Sequence, residues 1–490
     1  MPYLKPSSIW KKRKKQKQMN NSLLDFLIKH ASIGPVSFHM PGHKGAEFYQ
    51  RMGFGDVLNV VMDCDITEIP GADNLFQAED VILSVMEKYR SLYGSKKSYL
   101  LVNGSSVGLI TAIMSCTKRG DKVILARNSH KSIFNALTLG GLEPVYLFPE
   151  IMEEYGILGR VSAKEVEKLI DENPEARCVV LPSPNYYGIC SDISAIARVC
   201  HDHGKVLIVD QAHGAHLKFM GKGYPKAAED SGADIVIDSI HKTLASWTQT
   251  AVMNIMSDRV DLNVVENYLQ ILESSSPSYP LMMSLDINAD ILLDEEKREA
   301  ALKEWKAACC DFYEGAGSIP GLKVICDEML DKTKLNFDMS AYGLNGNELE
   351  KLLNERGIFV ELVTGNIIMG MTGIGTTREH VRKLLEALRE IAGGRDFLRN
   401  EGRSIDHSLI VTRRLKMAEV PEEKMALPLM ECEGLTAAAS IIPYPPGIPL
   451  ACPGEVLDRE VLEYAKYLRS MGEKVIGISE DGKILVGTKK

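Results

Sequence analysis

The chain has no C-x-x-C pair, no apolar run long enough to cross a membrane and no surplus of positive charge. Its ten cysteines are scattered, and the one adjacent pair is Cys309–Cys310. That excludes a zinc-ribbon framework and fits a reduced, cytoplasmic compartment better than a disulfide scaffold. The net charge of -9 argues against nucleic acid as the main partner. The want of a long apolar stretch argues against a membrane one. Neither a Walker nor a dinucleotide fingerprint occurs, and no internal repeat does. The opening "MPYLKPSSIWKKRKKQKQMNN" has a basic cluster with no apolar stretch behind it, so no signal peptide is expected there. Residues 1–20 are expected to be a disordered basic tail, with Met19 as an alternative natural start.

At 490 residues the chain exceeds one compact core. After "FHMPGHKG" come short apolar segments (YLLV, KVILA, PVYLF, CVVLP, VLIVD, DIVID) separated by helical stretches of 10 to 15 residues. This alternation predicts an α/β fold, a mostly parallel sheet covered by helices on both faces. One long charged helix is expected over 286–315 and a last helix over 456–471. The expected division is a tail at 1–20, an arm and loop at 21–65, a large domain at 66–280, a small α/β domain at 281–395 and a C-terminal domain at 396–490.

In open parallel sheets functional residues gather at the carboxyl ends of strands, and four such ends carry reactive types. "YLLVNGSSVGL" places Gly104, Ser105 and Ser106 at a helix start, where backbone N–H groups suit either a phosphate or an ordinary cap. "VLIVDQAHGAH" ends in Asp210 with His213 three positions on, a spacing open to metal binding, acid–base work or pairing with a ring nitrogen. "ARNSHKS" sets His130 at another helix start, as a cap or as a functional ring. "DSIHKT" supplies Ser239, His241 and Lys242. A lysine, a carboxylate, a flat imidazole and a phosphate cup in this order match what pyridoxal 5'-phosphate requires.

The chain resembles the bacterial ornithine/lysine/arginine decarboxylases, of the aspartate-aminotransferase-like, pyridoxal-phosphate-dependent class. The resemblance rests on "FHMPGHKG", "DITEIPGADNL", "LVNGSSVG", "RNSHKS", "SPNYYGICSDI", "VDQAHGAH", "DSIHKTLASWTQTA", "SSSPSYPLMMSLD" and "IIPYPPGIPLACPGE". It implies the three-layer sandwich of pyridoxal-phosphate fold type I, with smaller α+β domains towards the C-terminus. It further implies Lys242 as the Schiff-base lysine, Asp210 on the pyridine nitrogen and His130 stacked on the ring. Ser105, Ser106, Ser239 and His241 would contact the phosphate, His213 would lie near the phenolic oxygen, and Glu455 would meet the distal cation of the substrate. Gln211, Ile240, Ala245, Trp247 and Phe76 depart from the common pattern, and Gln211 reads as a lost charge.

The implied activity is decarboxylation of arginine, lysine or ornithine to an amine and carbon dioxide, by a cytoplasmic homodimer or tetramer without metal. Two other readings remain: a different fold type I activity such as an aminotransferase or α-oxoamine synthase, or a catalytically silent regulatory homologue.

Overall fold

The structure, a computed structural model, describes residues 23–396, 420, 422–443, 447–470 and 474–487. The expected tail at 1–20 and part of the expected C-terminal domain lie outside them. Two compact units emerge. Among the described residues the first comprises 23–65, 294–325 and 333–396; the second comprises 66–293, 326–332 and those from 420 onwards.

The second unit is built on seven strands: β1 (Lys97–Leu101), β2 (Lys122–Ala126), β3 (Glu143–Leu147), β4 (Cys178–Pro182), β5 (Val206–Asp210), β6 (Ile235–Asp238) and β7 (Ala251–Ile255). They lie in the order β1-β7-β6-β5-β4-β2-β3. The run from β3 to β6 is parallel, whereas β7 enters antiparallel between β1 and β6. The period-2 alternation of strand side chains sends alternate residues into two cores. Val123, Leu125, Ile208 and Ile237 pack on one face with helices α1 (Ser105–Cys116) and α2 (Lys131–Gly140). Ile124, Ala126, Val209 and Val236 pack on the other with α3 (Ala163–Glu172) and α4 (Ile193–Asp202). Burying each such Val, Leu or Ile side chain stabilises by about 1.5–3 kcal/mol, so these strands are apolar on both faces, as a doubly covered sheet demands. Gly108 brings α1 close: a Cβ there would stand 2.6 Å from Leu101 Cδ1 and 3.1 Å from Ile237 Cγ2.

The single helix expected over 286–315 is two, α5 (Tyr279–Leu293) and α6 (Glu295–Ala316). Asp294 breaks it, its carboxylate accepting the Lys297 N–H as an N-cap. Described residues between Leu429 and Val486 pack a core of their own around Val461, Leu462 and Ala465 of α7 (Arg459–Ser470), yet group with the large sheet in one unit. The first unit carries a four-stranded antiparallel sheet of Lys323–Val324, Lys334–Asp338, Leu362–Thr364 and Ile367–Met371. Among the described residues no helix is long and apolar enough to cross a membrane.

Candidate active site

Strand β5 ends in Asp210, and its neighbour β6 ends in Asp238, so the residues that follow each strand emerge side by side. After Asp238 the chain makes the single helical turn Ile240–Thr243, which carries Lys242. The Lys242 Nζ lies 2.9 Å from His213 Nε2. The His213 ring in turn meets Tyr186, with centroids 4.6 Å apart and planes at 56°. Asp210 is buried, and its Oδ1 accepts the Ala212 N–H at 3.1 Å. Burial pushes its carboxyl above the ordinary range, opposed by the positive charge of Lys242.

His130 stands at the N-cap of α2, where its Nδ1 accepts the Ser132 N–H at 3.3 Å and lies 2.9 Å from Ser132 Oγ. An accepting Nδ1 places the ring proton on Nε2. Burial, and then the charges of Lys242 and Lys131, push the imidazole down to about 3. It is neutral at any physiological pH, and Lys242 is near enough to bias both it and Asp210.

The turn before α1 is held from several sides. Gly104 has φ 80, open to glycine and strained for other residues, and a Cβ there would stand 3.4 Å from the Gln249 carbonyl oxygen. The buried Glu273 accepts the N–H groups of Val102 and Asn103, both at 3.1 Å. Gln249 Nε2 donates to the Val102 carbonyl at 2.5 Å. The next carbonyl along, that of Thr250, accepts His241 Nδ1–H at 2.8 Å. Residues 249–250 thereby tie the Gly104–Ser106 turn to the Ser239–Lys242 turn. The N–H groups of a first helical turn lack intrahelical acceptors, so Ser105 and Ser106 present donors here. Ser239 Oγ and Thr243 Oγ1 are buried with no hydrogen-bond partner among the described residues. A buried hydroxyl left so costs about 1–3 kcal/mol.

The structure thus gathers Lys242, His213, Asp210, His130, Ser239, His241 and the 104–106 turn, but places Glu455 in a different network. Glu455 precedes α7 by several residues instead of opening it. It is fully buried: Oε1 accepts the Tyr146 hydroxyl at 2.6 Å, and Oε2 accepts the Cys452 N–H at 2.9 Å. Arg127 Nη2 lies 3.5 Å from the same Oε2. Sequence reasoning passed over Tyr186, Glu273 and Gln249. The stretches "SPNYYG", "ESSSPSY" and "WTQT" held the only signals, since each contact spans many residues. Among the described residues no group of three or more His, Cys, Asp or Glu side chains is placed to hold a metal.

The Orn/Lys/Arg decarboxylase major domain matches residues 21–311, and the C-terminal domain of the same family matches 409–484. The uncharacterised protein YaaO of Bacillus subtilis (strain 168) is 33% identical over 473 residues, covering 94% of this chain and 96% of its own. An arginine decarboxylase of the same organism is 31% identical over 466 residues, covering 91% of this chain and 93% of its own. The solved lysine decarboxylase A from Pseudomonas aeruginosa superposes with a TM-score of 0.75 at 20% identity, over 94% of this chain and 80% of that one. That likeness shows the fold, pyridoxal-phosphate fold type I. With more than half its length matched by one family, this chain is a member of the Orn/Lys/Arg decarboxylases.

Proposed function

We propose that the protein is a pyridoxal-phosphate-dependent decarboxylase of a basic amino acid, with arginine the first substrate to test. The observation that carries the reading is the Lys242 amine, 2.9 Å from His213 and near both Asp210 and a neutral His130. The residues fit the cofactor. The unpartnered Ser239 hydroxyl and the N–H groups after Gly104 suit a phosphate. His241, committed through Nδ1 to Thr250, would contribute through Nε2. Lys242 would hold the cofactor covalently through its ε-amine, and His213 would orient that amine. Asp210 would keep a proton on the ring nitrogen, and a cation there would reverse the upward shift that burial imposes on it. His130, uncharged, would offer a flat face.

Bound there, pyridoxal phosphate supplies the electron sink for the pair left on the α-carbon when carbon dioxide departs. Arginine heads the order because a relative covering over nine-tenths of both chains bears the name arginine decarboxylase. Glu455 is the least supported of the expected contacts, since Tyr146, Cys452 and Arg127 already hold its carboxylate. A homodimer or tetramer, acting in the cytoplasm, completes the proposal. The exposed Leu23, Phe26 and Leu27 on the helix Leu23–Ser32 support self-association.

The test is mass spectrometry of the amines formed from arginine, lysine and ornithine, with Lys242→Ala as the control. Agmatine, cadaverine or putrescine as a dominant product is expected, with at least a ~1,000-fold loss in the variant. The variant should also lose the violet absorbance that borohydride removes. Absorbance without any amine product would favour a silent homologue, and a keto acid product would favour an aminotransferase.

A further inference from the structure

Behind the site lies a buried polar network that the proposed reaction does not use. Gln211 directly follows Asp210, and Asp238 directly precedes Ser239. The Gln211 Nε2 gives one hydrogen to Glu229 Oε2 and the other to Asp238 Oδ1, both at 2.9 Å. Its Oε1 accepts the Ala228 N–H at 2.7 Å. From β7, Asn254 Nδ2 donates to Asp238 Oδ2 at 3.0 Å and reaches Glu229 Oε1 at 3.5 Å. Its Oδ1 accepts the Ser98 hydroxyl at 2.6 Å. Each of the four carboxyl oxygens therefore meets an amide hydrogen.

No cation bonds either carboxyl among the described residues. Lys218, whose charge reaches Glu229, is ion-paired with Asp230. Tyr93, which feels both acids, and Tyr89, which feels Asp238, are bound through their hydroxyls to the Ala215 and Leu285 carbonyls. Two fully ionised carboxylates do not survive side by side in a dry pocket. One proton must stay on the pair, and the neutral amide of Gln211 is what lets a single proton suffice.

We infer that Gln211 is a positioning residue for the cofactor: it clamps a Glu229–Asp238 pair sharing one proton, and so holds Asp210 and Ser239 in place. The inference rests on the pyridoxal-phosphate reading. A glutamate at 211 would add an acceptor where a two-hydrogen donor is needed. The network would then require a second proton, and cofactor binding would become dependent on pH.

The experiment is absorbance titration of pyridoxal phosphate into the purified full chain from pH 6 to 9, for wild type, Gln211→Glu and Gln211→Glu/Glu229→Gln. Each dissociation constant is read relative to wild type at the same pH. The single variant is expected to bind about tenfold or more weakly at pH 8.5, one pKa unit of coupling being tenfold, and to approach wild type at pH 6. The double variant, which returns the number of acids to two, is expected within about threefold of wild type at every pH. A single variant that tracks wild type throughout overturns the inference, as does an equal, pH-independent loss in both. Should the single variant fail to fold, a folded, binding double variant supports the inference and an unfolded one overturns it. A wild type that takes up no cofactor sinks the underlying reading instead.

Discussion

Two networks bury carboxylates in the second unit, and they neutralise them by opposite means. Around Glu455, charge meets charge: Arg127 lies beside it, bonded to the Pro449 and Leu450 carbonyls and packed over the Phe134 and Tyr146 rings. Around Asp238 and Glu229 the partners are amides, and on the inference above the missing positive charge is a proton held between the two acids. The first arrangement is fragile to loss of one partner. The second holds no ion pair to break but answers to pH.

Breaking the ion pair should show the larger effect. Arg127→Met leaves a buried, uncompensated carboxylate and should lower the unfolding free energy by about 3–5 kcal/mol, measured by chemical denaturation at pH 7. Tyr146→Phe removes one hydrogen bond to that charge and should cost about 1.5–3 kcal/mol in the same assay.

Asp238→Asn sets its amide nitrogen against the donor of Gln211 or of Asn254 and should cost about 1–3 kcal/mol at pH 7. Its signature is the pH profile. Burial, and then the charge of Glu229, raises the Asp238 carboxyl well above its ordinary value. The folded chain thus holds a proton that the unfolded chain releases above about pH 4. Stability drawn from the pair is whole below that pH and falls as pH rises towards the raised value. Asp238→Asn should flatten this decline. A wild type showing no decline, or a variant keeping it, would erase the contrast between the two networks.

Much of the fold is legible in the sequence, because strands covered on both faces must be apolar throughout: VLIVD and CVVLP read as strands without help. Strand β7 is not. It follows Lys242 within nine residues, and a scheme of strands alternating with helices leaves no room for an antiparallel insertion. The site is legible as far as it sits at strand ends. Lys242, Asp210, His213 and Ser239 each follow or close an apolar run, whereas Glu229 and Asn254 reach the pocket from elsewhere in the chain. Gln211 illustrates the limit. In sequence it reads as a charge lost; in the structure two carboxyls, Glu229 and Asp238, already share its hydrogens.

His130 gives one ring two employers. Its Nδ1 closes the start of α2, while its neutral face is offered to the proposed cofactor. A replacement must serve the helix and the chemistry at once. Phenylalanine keeps the flat face and forfeits the cap; asparagine keeps the cap and forfeits the face. Under the proposed function, each of these single replacements at position 130 gives up one of the two roles.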